Sequence, residues 1–212
     1  MKNLLAAVGL AALIAAPSTG RAEDATRFAP LKAEELTPAQ KAWADAITAP
    51  PRNAKFVNPP YRAYIRNPDL APRLTALSEY LRWHTSLPPR LSELAILITA
   101  RQWTAQYEWF AHYPLALKAG LDQNVADAIA LGKRPDNMKD DEAALYDLAT
   151  ALYVDKKVSD PVYTAALEKF GERGIMDIIG IIGYYGLTSM TLITMQAGAP
   201  NDSVPPLPVL AK

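Results

Sequence analysis

The sequence predicts an all-α fold, a single-domain helical bundle of seven or eight helices. Three observations carry this. Apolar residues recur at helical spacing in successive segments. Prolines and glycines fall between those segments, where helices start and stop. No stretch shows the alternation of a half-buried strand.

The first segment is read as removable. Lys2 gives a short positive region, Leu4 to Ala16 an apolar one, and Gly20-Arg21-Ala22 ends in a small residue. Residues 1–22 therefore read as a secretory signal peptide, which places the mature protein in the periplasm or outside the cell. An uncleaved N-terminal anchor is the alternative, although the run is short for a membrane span. About 190 residues remain, enough for one domain.

Residues 23–66 form an N-terminal helix and a proline-rich arm. Thr37 can cap the helix, Pro38 suits its first position, and Trp43 and Ile47 give it an apolar face. Pro50-Pro51 ends it, and the arm runs through Pro59-Pro60 to Asn67-Pro68. Residues 67–197 make the helical domain. Asp69 to Trp83 is the second helix. Arg90 to Ala105 follows Pro88-Pro89 and is apolar all round, so it should be buried. Tyr107 to Ala119 continues that helix or starts the next, and Gly120 stops it. Asp122 caps Val125 to Leu131, and Gly132 ends it.

Asp140 to Tyr153 gives another helix, and Pro161 starts Val162 to Phe170. Gly174 to Met195 is long and apolar, with Gly180, Gly183 and Gly186 at three-residue steps. These glycines cost helix propensity and should admit a close backbone neighbour or subunit. The run is long enough to span a membrane, but Asp177 favours a buried core or contact helix. Residues 198–212 are an extended tail around Pro205-Pro206-Leu207-Pro208.

The composition removes several classes of function. The chain has no cysteine, which excludes thiol peroxidase, thiolate–metal and disulfide-exchange chemistry. Without Lys2 and Arg21 it keeps 20 basic against 22 acidic residues. No basic block suggests nucleic acid, and no polybasic amphipathic segment suggests a membrane surface after signal cleavage.

Acid–base residues remain. Glu93 lies in the apolar run Leu91-Ser92-Glu93-Leu94-Ala95-Ile96-Leu97. Burial would be costly without a partner and would make it a usable proton donor. It reads equally well as a first-turn glutamate favoured by the helix dipole. Glu108 and His112 are four residues apart and share a helix face. Glu108 can orient or protonate His112; otherwise Glu108 is exposed and His112 is a core residue between Phe110 and Tyr113.

His84, the other histidine, falls in a loop before Pro88, at the surface or a pocket rim. Arg101 follows Glu93 by eight residues on about the same face and is expected to hold a substrate carboxylate. Arg90 reads as an ordinary ion-pairing residue. No HExxH or ExxH spacing occurs, so no metal site is expected.

These residues resemble the carboxymuconolactone decarboxylase family, which includes the alkylhydroperoxidase D-like proteins. The resemblance runs through Leu87-Pro88-Pro89-Arg90-Leu91-Ser92-Glu93, Tyr107-Glu108-Trp109-Phe110-Ala111-His112 and Ala116-Leu117-Lys118-Ala119-Gly120-Leu121. Val158-Ser159-Asp160 and the Gly183-Tyr184-Tyr185 region resemble its longer members. The peroxidase branch carries a CxxC pair where this chain has Ala105 and Glu108. The resemblance therefore implies a cysteine-free, cofactor-independent, decarboxylase-like branch, assembled as a trimer or a multiple of it. Glu93, Glu108 and His112 map onto its acid–base positions.

The resulting expectation is a lyase acting on a small molecule, an anionic lactone or unsaturated carboxylic acid. Tyr107 and Trp109 would line an apolar pocket, Arg101 would hold the carboxylate, and His112 or Glu93 would move the proton. A lactone hydrolase or isomerase using the same residues is one alternative. A non-enzymatic binding or assembly protein is the other.

Overall fold

Thr37 starts the first helix as its sequence pattern requires. Its hydroxyl accepts from the Gln40 backbone N–H, and the Gln40 side chain accepts from the Thr37 N–H in return. This reciprocal cap precedes α1, Pro38–Thr48. The structure, a computed structural model, describes residues 27–210. The expected signal peptide lies outside the described residues.

After α1 the arm passes through Pro50-Pro51 and Pro59-Pro60 to a short helix, α2, Tyr61–Tyr64. Then come α3, Ala71–Trp83, α4, Pro89–Trp103, and α5, Gln106–Lys118. The smaller α6, Gln123–Ala130, is capped by Asp122, which accepts from Asn124 N–H at 2.7 Å. α7, Asp140–Thr150, runs into a π-turn, Ala151–Asp155, and α8 spans Asp160–Thr194. The described residues contain eight α-helices and no strand, so the all-α reading holds.

α4 is the centre of the bundle. It packs against α5, α6, α7 and α8, and every residue from Leu91 to Arg101 is buried. That explains its apolar residues on all sides. Burying Leu91, Leu94, Ile96 and Leu97 contributes about 1.5–3 kcal/mol each against the chain entropy. Arg90 ties its start to α7 through Asp141, at 2.6 Å, and through Glu142. The ion-pairing role expected of Arg90 is what it has.

α4 does not run on into α5. Thr104 takes a left-handed conformation, φ 51°, and donates its N–H to Arg101 O at 3.0 Å. The new helix thereby swings Glu108 and His112 back along α4. Similarly, α8 is interrupted at Gly171, whose φ 63° and ψ 176° suit only glycine. The pieces 160–170 and 172–194 match the two helices expected there.

Gly180, Gly183 and Gly186 of α8 do not meet another backbone among the described residues. A Cβ at Gly180 would stand 3.0 Å from Leu81 Cδ2, and one at Gly186 would stand 3.4 Å from Trp103 Nε1. Gly183 has open space beside it. Asp177 turns inward, where it accepts from the Tyr80 hydroxyl, Ser86 N–H and Ser86 hydroxyl, each at 2.7 Å. α8 is long and apolar enough to cross a membrane, but most of its apolar stretch is buried in the bundle.

The tail has no regular structure from Pro205 to Leu210 and is fastened to the bundle. Gln106 donates to Leu207 O at 2.8 Å and accepts from Leu207 N–H at 2.9 Å. Val204 and Leu207 are buried.

Candidate active site

Glu93, on α4, and His112, on α5, meet because α5 folds back over α4. His112 Nδ1 lies 2.6 Å from Glu93 Oε2. Arg82, at the end of α3, donates to the other oxygen, Glu93 Oε1, at 2.8 Å. Arg82 Nη1 also comes within 3.3 Å of Nδ1. The ring nitrogen cannot accept from Arg82 while donating to Glu93. The shorter contact to a carboxylate assigns the hydrogen to Nδ1. Nε2 is then the ring atom free for chemistry.

Nε2 faces Glu108. The distance to Glu108 Oε2 is 3.4 Å, close enough for attraction, yet this oxygen is buried without a hydrogen-bond partner. Burial raises the Glu108 carboxyl above the usual range, and the nearby His112 and Arg82 charges only partly offset this. Glu93 goes the other way. Its burial also favours the neutral form, but the hydrogen bond to His112 and the charges of His112 and Arg82 outweigh it and hold the group below the usual carboxylate range. Two carboxylates beside one imidazole are thus pushed apart in acidity, the pattern of a site with a separate acid and charged partner.

These groups border a cavity of about 210 Å³. Glu108, His112 and Leu115 of α5 form one wall, and Ser78, Arg82 and Trp83 of α3 another. Tyr184, Tyr185 and Thr188 of α8 close a third side, while Arg52, Pro60 and Tyr61 come from the arm. The Tyr185 ring meets His112 edge-on, with centroids 5.1 Å apart. Its hydroxyl is pushed well above the usual phenol range by burial, so it is a neutral donor. Glu93 stands behind this surface with both oxygens engaged. Among the described residues no three His, Asp or Glu side chains are grouped so that they could hold a metal ion.

Residues 68–151 match the model of the carboxymuconolactone decarboxylase family. That segment, 84 of the 212 residues, is what the chain shares with the family. Glu93, Glu108 and His112 all lie in the family segment; Arg52, Tyr184 and Tyr185 lie outside it. No curated protein matches the chain. Solved structures do.

One is an uncharacterized peroxidase-related protein from Ralstonia eutropha JMP134 with an alkylhydroperoxidase core. It has TM-score 0.68 and 19% identity, over 84% of this chain and 93% of that one. Another, from Silicibacter sp. TM1040, is also an uncharacterized peroxidase-related protein, with TM-score 0.66 and 14% identity over 84% and 93%. A third is the debrominase Bmp8 in complex with 2,3,4-tribromopyrrole, with TM-score 0.55 and 18% identity over 81% and 89%. These likenesses fix the alkylhydroperoxidase D-like fold.

Four residues expected at the site stand elsewhere. Arg101 is buried and donates to Ala130 O, Pro208 O and Thr104 Oγ1. It borders a separate cavity of about 660 Å³ with no acid–base pair. Eight residues of helix leave it about 80° round from Glu93, and in a helix buried on all sides that rotation reaches a different neighbour. Trp109 is 2% exposed and packs on Tyr113, with centroids 5.4 Å apart, in the core. Tyr107 is half-buried and does not border the cavity. His84 is exposed at the end of α3; its neighbours Arg82 and Trp83 reach the cavity instead.

Arg82 and Arg52 are the residues that sequence reasoning missed. Ser78 and Arg82, four apart on α3, offered a faint signal as a polar pair beside an apolar stripe. Tyr184 and Tyr185 lay in a segment that resembled the family but had no role attached. Nothing local in the sequence marks Arg52.

Proposed function

We propose that this protein is a cofactor-independent, decarboxylase-like lyase that acts by acid–base chemistry on a small lactone or unsaturated carboxylic acid. One observation carries the reading. A buried carboxyl with raised pKa, Glu108, and the free Nε2 of His112 share a small cavity in a chain without cysteine. The cavity opens to both groups, which favours an enzyme over a binding protein with His112 merely satisfied in its core.

The two carboxylates take different parts. Glu93, engaged on both oxygens, is a positioning residue for His112 and Arg82. Glu108 is the group free to exchange a proton with substrate. In the proposed step the bond from carbon to the substrate carboxylate breaks and carbon dioxide leaves. The electron pair passes into a conjugated carbonyl as an enolate. Protonated Glu108 delivers a proton to carbon, and the carboxylate formed is held by His112 until it is reprotonated from water. The Tyr185 hydroxyl is placed to donate to developing negative charge.

The N-terminal apolar run supports export of the mature protein. The exposed Met176, Ile179, Met190 and Ile193 on α8 support self-association; a trimer or a multiple of it is what the resemblance implies.

Purified protein, incubated with lactones and unsaturated acids under mass detection, tests the reading. Release of carbon dioxide marks the lyase; a ring-opened or rearranged product of unchanged carbon count marks a hydrolase or isomerase instead. Glu108→Gln and His112→Gln should each lower turnover by about 10²–10⁴-fold. Full turnover in both variants would sink the assignment.

A further inference from the structure

We propose that Arg52, on the proline-rich arm, is the carboxylate-binding residue of this cavity and sets its preference for anionic over neutral ligands. The proposal rests on the reading of this cavity as the substrate site. Two cations border it, and they differ in kind. Arg82 faces Glu93 at 2.8 Å, so its charge is cancelled within the protein. Arg52 has no acidic partner among the described residues.

Every group that holds Arg52 is neutral. Nη1 donates to the Tyr61 hydroxyl at 3.3 Å and the Ser78 hydroxyl at 3.2 Å, and Nη2 donates to Thr75 O at 3.1 Å. The Trp83 ring lies 5.2 Å from its Cζ. Such partners fix the guanidinium in place and leave its charge whole. Of its five N–H donors, these contacts use three. An immobilised, uncancelled guanidinium with donors to spare, on the wall of a cavity, is complementary to a carboxylate.

The acid–base pair stays distinct from this anchor. The charges that bear on Glu108 are those of His112, Arg82 and Glu93. The cavity thus offers one place for a carboxylate and another for proton exchange. Its volume of about 210 Å³ is below the roughly 300–1,000 Å³ of drug-sized sites. Short unsaturated monocarboxylates are the class that fits.

Calorimetry on the full chain tests this with 2,4-hexadienoate and its neutral amide as probes. The wild type should bind the acid at least about tenfold more tightly than the amide, the scale of one charged hydrogen-bonded contact. Arg52→Gln should abolish that preference and leave amide binding unchanged. Arg52→Lys should keep part of it, since the charge persists without the fork. Glu108→Gln should keep the preference while lowering turnover of a confirmed substrate by about 10²–10⁴-fold. Equal binding of acid and amide by the wild type would overturn the proposal. So would an undiminished preference in Arg52→Gln or, should that variant fail to fold, in Arg52→Lys. Acid preference without turnover of any acid would reject the catalytic reading and leave the anchor standing.

Discussion

Glu93 Oε2 lies 2.6 Å from His112 Nδ1, and this contact decides which nitrogen of the ring faces the cavity. It fixes one tautomer and points Nε2 toward Glu108. Since Glu93 acts through His112, Glu93→Gln should lower kcat by at least about tenfold with little change in KM, as orienting carboxylates do. The His112 ring resonances should shift and the pH–rate profile should move with them. An unchanged profile would reduce Glu93 to a packing residue.

Glu108 should cost the protein stability. Its carboxyl is raised in the folded state because burial disfavours the charge. A raised carboxyl binds its proton more tightly folded than unfolded, so stability declines as pH rises from the ordinary carboxylate value up to the folded one. Glu108→Gln removes that penalty. At pH 8 its Tm should exceed that of the wild type by about 2 °C or more, and the gain should vanish below about pH 4. Thermal unfolding across pH measures both. A variant less stable at pH 8 would contradict the burial argument.

The Arg82–Glu93 pair works in the opposite sense. Glu93 is held below its ordinary value, so its contribution is present above about pH 4.5 and is lost as pH falls through the folded value. Arg82→Met leaves Glu93 with His112 alone. The loss should be about 2–3 kcal/mol at neutral pH, less than for a wholly buried pair because Arg82 is partly exposed. Denaturant titration should show the gap narrowing at pH 3. A constant gap would mean that Arg82 contributes by packing alone.

Trp109 belongs to the core. Trp109→Ala should cost about 3–5 kcal/mol, whereas Trp109→Phe should fold and leave KM for any confirmed substrate within about twofold, since the ring does not reach the cavity. A large rise in KM for the phenylalanine variant would restore it to the binding site.

Gly171 gives a separate test of the backbone. At φ 63° and ψ 176° a Cβ is strained whatever the space around it. Gly171→Ala should lose about 1–3 kcal/mol, although nothing lies within 4 Å of the added atom. Unchanged stability would mean that the 160–170 and 172–194 pieces can join smoothly.

Much was legible in the chain because it depends on neighbours in sequence. The Thr37 cap and the burial of α4 follow from spacing, proline position and apolar coverage, whereas the break at Thr104 before α5 had no such signal. The pairing of Glu108 with His112 needs only four residues of helix. Spacing fails where a side chain's direction depends on which helix lies opposite. Arg101 was placed with Glu93 by a rule of faces, but α4 has neighbours on every side, and Arg101 met the tail.

By itself, then, the sequence determined an all-α chain without cysteine, with Glu93, Glu108 and His112 as its candidate acid–base residues. Only the tertiary structure decided their division of labour. Charge state follows from desolvation and from partners a few ångströms away. Those partners, Arg82 across a proline turn, Tyr185 from α8 and Arg52 from the arm, meet through packing and not through spacing. The two carboxyls differ in acidity because Arg82 of α3 hydrogen-bonds Glu93, whereas it reaches Glu108 only as a nearby charge that does not offset burial.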